Sequence, residues 1–199
     1  MTKYHYFLIS LFTLAWIISA INPVTPENWL QENIVVFLWV PATILLGRYI
    51  VKLSNISYTI IAIFLMLHLL GAHYNYGGVP FGEILGEWIG SGRNQFDRLM
   101  HLLFGLIMIY PFREMFLRIT NVKRFWGYFF PINIILSFSA MYEIYEWVSV
   151  SYLPSEISYL FVGGNDPWDA VKDMSLAAVG AVITTVILAV KNRQVNKSM

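Results

Sequence analysis

The chain has 199 residues, of which 57% are hydrophobic and 13% are charged, and its formal net charge is +1. Soluble domains carry about 25% charged residues, so a water-soluble chain of this length has no means of burying so much apolar surface in one core. The small net charge argues against a nucleic-acid partner, which requires a clustered basic face.

Six stretches are long and apolar enough to cross a bilayer, which takes about 20 mostly apolar residues. They cover residues 4–21, 34–51, 56–72, 96–117, 125–150 and 168–190. Pro41 predicts a kink in the second stretch, and the short connection after it predicts a tight helical hairpin with the third. The predicted fold class is therefore all-α, a single transmembrane domain over residues 1–199 formed by a polytopic bundle of six helices.

Lysine and arginine in short loops predict the orientation of such a bundle, because these residues are retained on the cytoplasmic side. With the N-terminus inside, ten of the 13 basic residues fall on the cytoplasmic side: Lys3, Arg48, Lys52, Arg113, Arg118, Lys123, Arg124, Lys191, Arg193 and Lys197. Both termini are therefore predicted to be cytoplasmic, which agrees with an even number of spans.

The acidic residues have the opposite distribution, since only Glu114 of the 12 falls at the inner end. The others map to outer loops or outer helix ends: Glu27, Glu32, Glu83, Glu87, Asp97, Glu143, Glu146, Glu156, Asp166, Asp169 and Asp173. Aspartate and glutamate contribute little to the positive-inside rule, so this asymmetry indicates a second cause.

Three predicted helices carry a pair of ionisable residues three or four residues apart at their outer ends, and a fourth carries His68 in its last turns with His73 just beyond it. The pairs are His68 with His73, Asp97 with His101, Glu143 with Glu146, and Asp169 with Asp173. Spacings of three or four residues place two side chains on one helix face. An ionisable residue at the bilayer centre costs about 2.5–3.5 kcal/mol on insertion scales, and less near the interface. Helices that each offer one or two such ligands to a bundle interior are typical of carboxylate and histidine metal sites.

Helix capping is the structural alternative for part of this set. Asn94 followed by Asp97, and Asp166 followed by Asp169, both fit helix N-termini, where side-chain oxygens accept backbone N–H groups and the dipole favours acids. Arg98 would then only neutralise a neighbouring acid, although its guanidinium also suits an anionic group such as a phosphate.

Capping does not explain the members of the set that lie deeper in the predicted helices. His101 and Asp173 fall one turn beyond the capping positions. Glu143 and Glu146 fall near a helix C-terminus, where the dipole disfavours acids. These four residues therefore favour a functional interpretation.

Several motifs resemble a known family in their order and spacing between about His68 and Gly180. They are His68-Leu-Leu-Gly-Ala-His-Tyr-Asn-Tyr, Arg93-Asn94, Asp97-Arg98-Leu-Met-His101, Arg113-Glu114, residues 143–147 and Trp168-Asp-Ala-Val-Lys-Asp173-Met. The resemblance is to the YjdF-like family, and it implies a multi-pass protein of the bacterial inner membrane. In the last motif this chain has Asn165 and Val171 where the family pattern has Gly and Gln.

A weaker similarity links part of the same set to the VanZ-like membrane proteins. It covers Asp97-x-x-x-His101, the glutamate pair and Asp169-x-x-x-Asp173. This similarity implies a polar site at the outer face and no particular reaction.

The first functional hypothesis is a metal-dependent hydrolase or transferase acting on a lipid or lipid-linked substrate at the outer leaflet. Because the chain has no cysteine, a metal must bind nitrogen and oxygen ligands, here His68, His73, Asp97, His101, Asp169 and Asp173. Such ligation favours Zn, Mn or Fe over Ca or Mg. Glu143 or Glu146 would act as general base on a metal-bound water, and Arg98 would hold an anionic head group. No organic cofactor is indicated.

Two further hypotheses use the same residues. In a small proton- or cation-coupled transporter they would form a relay or an ion site, although the inner half holds a single acid and the sequence shows no inverted repeat. In a non-catalytic accessory membrane protein they would only hold the helices together. Membrane lipid is a partner in each case, and the sequence carries no signal for an oligomeric state.

Overall fold

The structure is a computed structural model that describes residues 2–120, 122, 125–152 and 166–197, with side chains as far as Lys191 in the last helix. Lys123, Arg124, Glu156 and Asn165 lie outside the described residues, as do the side chains of Arg193 and Lys197. The described secondary structure consists of seven helices: α1 (Lys3–Ser19), α2 (Pro26–Tyr49), α3 (Asn55–His73), α4 (Pro80–Trp88), α5 (Phe96–Ile119), α6 (Trp126–Tyr152) and α7 (Asp169–Lys197).

The all-α class is confirmed, because the described part of the chain contains helices and no strand. By length and composition, three helices are able to cross a membrane: α2, α3 and residues Asp169–Lys191 of α7. A helix also occupies each of the other predicted stretches, in α1, α5 and α6. The count of six spans and the cytoplasmic termini stay predictions.

The start of α2 differs most from the sequence prediction, which began this helix at residue 34. The helix begins at Pro26, with proline in its first turn and Glu27 beside it. Proline at the first helical position and an acid in the first turn are typical of a helix N-terminus. Hydropathy excluded these turns because they are polar, yet Asn28, Glu32 and Asn33 are buried.

Hydrogen bonds join α1, α2 and α3 at one end of the bundle. The backbone N–H of Val24, between α1 and α2, donates to the carbonyl of His73 at 3.0 Å. The Nδ1 atom of His73 lies 2.9 Å from the carbonyl oxygen of Ser19, at the end of α1. Asn28 donates to Asn75 across 3.1 Å. We call this end of the bundle, which also holds the start of α5, the site end.

Glu114 joins α3 to α5 at the opposite end, which we call the Glu114 end. Its Oε1 atom accepts the backbone N–H of Ser54 at 2.9 Å, and its Oε2 atom accepts the Ser54 hydroxyl at 2.8 Å. The Ser57 hydroxyl also donates to Glu114, and Arg118 lies 2.6 Å from it. Glu114, the one acid predicted at the inner side, therefore holds the start of α3 against α5 through hydrogen bonds.

The closest helix crossing is that of α5 with α7. A methyl group on Gly105 would overlap the carbonyl oxygen of Ala177, and one on Gly180 would lie 2.5 Å from the carbonyl oxygen of Leu102. Thr184 donates from its hydroxyl to the carbonyl of Leu106 at 2.7 Å. Small residues allow transmembrane helices to approach this closely.

The buried core surrounds α5. It consists of Ile61 and Leu65 from α3, Ile135 from α6, Ala177 and Ala181 from α7, and Phe104, Met108, Ile109 and Phe112 from α5 itself. Large apolar side chains remain exposed elsewhere on the helices, among them Phe37, Leu38, Ile183 and Ile187. An exposed apolar surface of this extent is typical of helices that face lipid.

Substituting alanine for Gly105 or Gly180 is expected to destabilise the protein by about 1–3 kcal/mol, because the added methyl group overpacks a backbone contact. The measurement is the thermal unfolding midpoint in detergent. Gly127→Ala is the matched control, since its nearest neighbour is the end of the flexible Leu117 side chain. Equal midpoints for all three variants would contradict the close crossing.

Candidate functional site

Three ionisable side chains from α5 and α7 meet at the site end. Asp97, His101 and Asp173 each offer one ligand atom, and these atoms all lie within 4.8 Å of one another. His101 and Asp173 are buried and Asp97 is half-buried. The two helices bring them together because Asp173 lies one turn before Ala177 and His101 one turn before Gly105, at the close crossing.

Glu143 on α6 completes this group, which we call the carboxylate–histidine group. Its Oε1 atom lies 3.1 Å from the Nε2 atom of His101, but the two are not aligned as a hydrogen bond, and Oε1 has no hydrogen-bond partner among the described residues. The side chain is only 9% exposed. On its other nitrogen, His101 Nδ1 lies 3.3 Å from the hydroxyl of Ser139, which orients the imidazole ring. Glu143 therefore presents an unpaired oxygen to the group.

A network of ion pairs covers the carboxylate–histidine group on the α7 side. Arg98 lies 2.5 Å from Asp169, 3.0 Å from Asp166 and 3.4 Å from Asp173. Arg93 pairs with Asp169 at 2.6 Å, and Lys172 pairs with Asp166 at 2.6 Å. These three cations thus neutralise Asp166 and Asp169 at the start of α7. Arg98 also contacts Asp173, which belongs to the carboxylate–histidine group.

The pKa values of this network follow from its contacts. The hydrogen bonds from Lys172 and from the Trp168 backbone N–H lower the pKa of Asp166 below its usual value. Burial alone would lower the pKa of Arg93, but the hydrogen bond and the charge of Asp169 outweigh it and raise that pKa. Asp166 also accepts the Trp168 N–H at 3.1 Å, so it caps the start of α7 as the structural alternative predicted.

A second buried polar group lies between α2, α3 and α6, and we call it the Glu32 group. Tyr142 donates to Glu32 at 2.9 Å. The Nε2 atom of His68 lies 3.0 Å from the Glu32 carbonyl oxygen, and its Nδ1 atom lies 2.5 Å from the Tyr76 hydroxyl. Burial raises the pKa of Tyr76 well above its usual value, so this hydroxyl stays protonated.

The predicted metal ligands thus divide among several places. Asp97, His101 and Asp173 come together in the carboxylate–histidine group, and Asp169 lies beside them in the ion-pair network. Both other predicted histidines have different neighbours. His68 belongs to the Glu32 group, and His73 is bonded to the end of α1.

The residues predicted for catalysis also occupy different positions. Glu143 lies in the carboxylate–histidine group, whereas Glu146 lies half-buried nearly one turn further along α6. Arg98 faces three carboxylates. Asn94 accepts the Phe96 N–H at 2.9 Å, but the N-cap of α5 is Gln95, one residue later than the capping alternative had it, and the Asp97 carboxylate lies 3.8 Å from His101.

Glu32, Tyr142 and Arg93 take part in the Glu32 group and the ion-pair network, although the sequence did not predict their partners. The signal for Glu32 was present, since Asn28 and Glu32 are four residues apart and lie on one helix face once α2 starts at Pro26. Tyr142 stands beside Glu143 in the chain, but its partner Glu32 lies on a different helix, and spacing along one helix gives no signal for such a contact. Arg93 lies in the connection before α5, where no periodicity indicates its partner.

Some members of each polar group line one cavity of about 510 Å³, whereas Glu32, Glu143 and Asp173 are not part of its lining. His68, Tyr76, Asp97, His101, Ser139 and Tyr142 contribute its polar lining. The remainder is mainly apolar, with Thr43 and Tyr145 as its polar residues, and runs past the contacting rings of Trp39, Phe104, Phe112 and Phe138 towards Met115. Its volume lies within the range of about 300–1,000 Å³ that is usual for ligand sites.

Comparisons with known proteins agree with this membrane architecture. A family model described as "Predicted membrane protein (DUF2238)" matches residues 4–194. The chain is 31% identical to the inner membrane protein YjdF of Escherichia coli (strain K12) over 178 residues, which is 89% of this chain and 85% of that protein. This match confirms the resemblance to the YjdF-like family, whereas the similarity to VanZ-like proteins rests on the motifs alone. No solved structure matches the chain significantly. The chain therefore belongs to the DUF2238 family of predicted membrane proteins.

Proposed function

We propose that the protein is a metal-dependent hydrolase or transferase of the bacterial inner membrane, acting on a lipid or lipid-linked substrate. The observation that carries the proposal is the approach of Asp97, His101 and Asp173 to within 4.8 Å of one another, beside the unpaired Glu143 oxygen. The printed name of the Escherichia coli relative, an inner membrane protein, supports the location.

A divalent cation is the partner that this group of charges favours. Three carboxylates around one imidazole repel one another, and a divalent cation replaces that repulsion with attraction. One nitrogen and several oxygens as ligands favour Zn, Mn or Fe. Metal–ligand bonds of about 2.0–2.2 Å hold ligand atoms roughly 3–4 Å apart. Small rotations of the Asp97 and Asp173 carboxylates reach that spacing from the present 4.8 Å limit.

Glu143 is the better candidate for the general base of the reaction. Its oxygen lies 3.1 Å from His101, next to the proposed metal, and carries no hydrogen bond. A bound metal would supply an acidified water, and the Glu143 carboxylate would be the group that accepts its proton. Glu146 stays the alternative, half-buried further along α6. Arg98 has three carboxylate partners, so we propose that it positions Asp169 and Asp173.

The cavity supports an amphiphilic substrate. Its polar end holds Asp97 and His101, and the rest of its lining is mainly apolar over several helical turns. A head group at the polar end and an apolar chain along α2, α5 and α6 would match both surfaces. The apolar part adds no ionisable relay among the described residues that line it, which disfavours the transport hypothesis.

For the topology we propose six spans, α1, α2, α3, α5, α6 and α7, with both termini in the cytoplasm. The positive-inside pattern supports this orientation, with Lys52 near the Glu114 end and the ion-pair network at the site end. The carboxylate–histidine group would then face the outer leaflet, and α4 would lie in the outer interface.

Protein purified without chelators is expected to contain about one Zn, Mn or Fe per chain, measured by inductively coupled plasma mass spectrometry. His101→Ala and Asp173→Asn are expected to lose most of it, because each removes a proposed ligand from the group. Two control variants should retain the metal. His73→Ala removes a histidine that is bonded outside the group, and Glu83→Gln removes the charge of an exposed acid. Wild-type protein without stoichiometric metal would overturn the proposal.

The same preparations test the reaction. Metal-loaded protein incubated with a bacterial lipid extract should convert one lipid class, detected by mass spectrometry of substrate and product. Glu143→Gln should retain the metal and lose about 10²–10⁴-fold in rate, as the removal of a general base does, while Glu83→Gln should match wild type. A rate unchanged by Glu143→Gln would exclude this glutamate as the base.

The topology predicts which positions react from outside an intact cell. Since the chain contains no cysteine, single cysteines can be introduced without background. A membrane-impermeant maleimide should label Glu87→Cys, on exposed α4, in intact spheroplasts, and Lys52→Cys only after permeabilisation. Labelling of Lys52→Cys in sealed spheroplasts would contradict the orientation.

A further inference from the structure

A second, larger cavity lies between α1, α2 and α3, apart from the carboxylate–histidine group. Its volume is about 710 Å³. Its walls are mainly apolar and include Leu8, Phe12, Val40, Ile44, Ile61 and Leu65. None of the proposed metal ligands lines it, so the proposed reaction does not account for it.

The cavity is a cleft closed at the site end. There, Trp16 donates to the Asn33 side chain at 2.7 Å, and Trp29 donates to the Ser19 hydroxyl at 3.2 Å. The ring of Trp16 also contacts that of Phe37. Apart from these contacts, α1 and α2 each pack against α3 but hardly against each other. The two helices thus leave an apolar cleft between them.

Basic side chains line the cleft at the Glu114 end. Arg48 and Lys52 both contribute to its lining and are exposed. Among the described residues no carboxylate forms an ion pair with either of them. The acid nearest this level, Glu114, already accepts from Ser54 and is paired with Arg118. The cleft therefore has an apolar interior and, at its opening, two positive charges that no described carboxylate neutralises.

The length of the cleft matches one leaflet of a bilayer. Its lining on α2 runs from Val36 to Arg48, which at about 1.5 Å per residue is roughly 18 Å. Half of a hydrocarbon core of about 30 Å is about 15 Å. An acyl chain that enters from one leaflet would extend along the cleft and end near Trp16, where the helices close.

We propose that this cleft binds an anionic glycerophospholipid, with its phosphate at Arg48 and Lys52 and one acyl chain between α1 and α2. Basic pockets between helices on the cytoplasmic side are suited to anionic head groups. The charge at the mouth selects an anionic lipid over a zwitterionic one, since the latter brings a cation to the same place. The proposed orientation makes this the cytoplasmic leaflet, but binding itself does not depend on the proposed enzyme activity.

The test measures lipid binding by the protein in detergent. The two readouts are native mass spectrometry and the thermal unfolding midpoint. Phosphatidylglycerol should bind and raise the midpoint, and phosphatidylcholine of the same chain length should bind about tenfold more weakly. The double variant Arg48→Gln with Lys52→Gln should lose this preference. Lys191→Gln, an exposed lysine near the far end of α7, should keep it.

A second variant tests the acyl chain. Ala62→Trp places a large ring in the cleft lining on α3 and should abolish binding of phosphatidylglycerol. Glycerol 3-phosphate, which has no acyl chain, should produce no shift. Equal binding of both lipids to wild type, a shift with glycerol 3-phosphate alone, or unchanged binding in both variants would each overturn the proposal. Circular dichroism without lipid verifies that each variant is folded.

Discussion

The close crossing of α5 and α7 determines where the polar side chains of this protein meet. Glycines at 105 and 180 let the two backbones touch, and the Thr184 hydroxyl bonds across the interface to Leu106. His101 lies one turn from Gly105, and Asp173 lies one turn from Ala177 on the facing helix, so their ligand atoms come within 4.8 Å of each other, although each residue is costly to bury alone. Side chains larger than hydrogen at the crossing would separate the helices and with them the carboxylates and the imidazole.

The polar side chains form two groups, on opposite walls of the cavity. The ion-pair network neutralises the start of α7, while Glu143 and Ser139 approach His101 from α6. On the far wall of the cavity the Glu32 group joins α2, α3 and α6 through hydrogen bonds that leave few of its polar atoms unpaired. Glu143 differs from these neighbours because its Oε1 atom has no hydrogen-bond partner among the described residues. For this reason the proposed chemistry is assigned to Glu143 and to the residues around it.

The sequence predicted the helices and the paired residues on each helix, because apolar length and spacing along one helix depend on local chain geometry. Asp97 with His101 is such a pair. It did not predict which helices face one another, so His68 and His73 entered the same ligand set, although each bonds to a different neighbour. The start of α2 was also missed, since hydropathy ignores polar turns that are buried by packing, and Glu32 lies in one of them.

The number of imidazole ligands on the proposed metal is the most direct test of the carboxylate–histidine group as a metal site. The structure brings one histidine, His101, to the carboxylates, whereas the sequence alone offered three. X-ray absorption spectroscopy of the metal-loaded protein measures this number from the scattering of the imidazole ring. We expect one imidazole, with oxygen as the other ligands at about 2.0–2.2 Å, and we expect the imidazole signal to be lost in His101→Ala. Two or more imidazoles, or a spectrum unchanged by His101→Ala, would contradict this expectation.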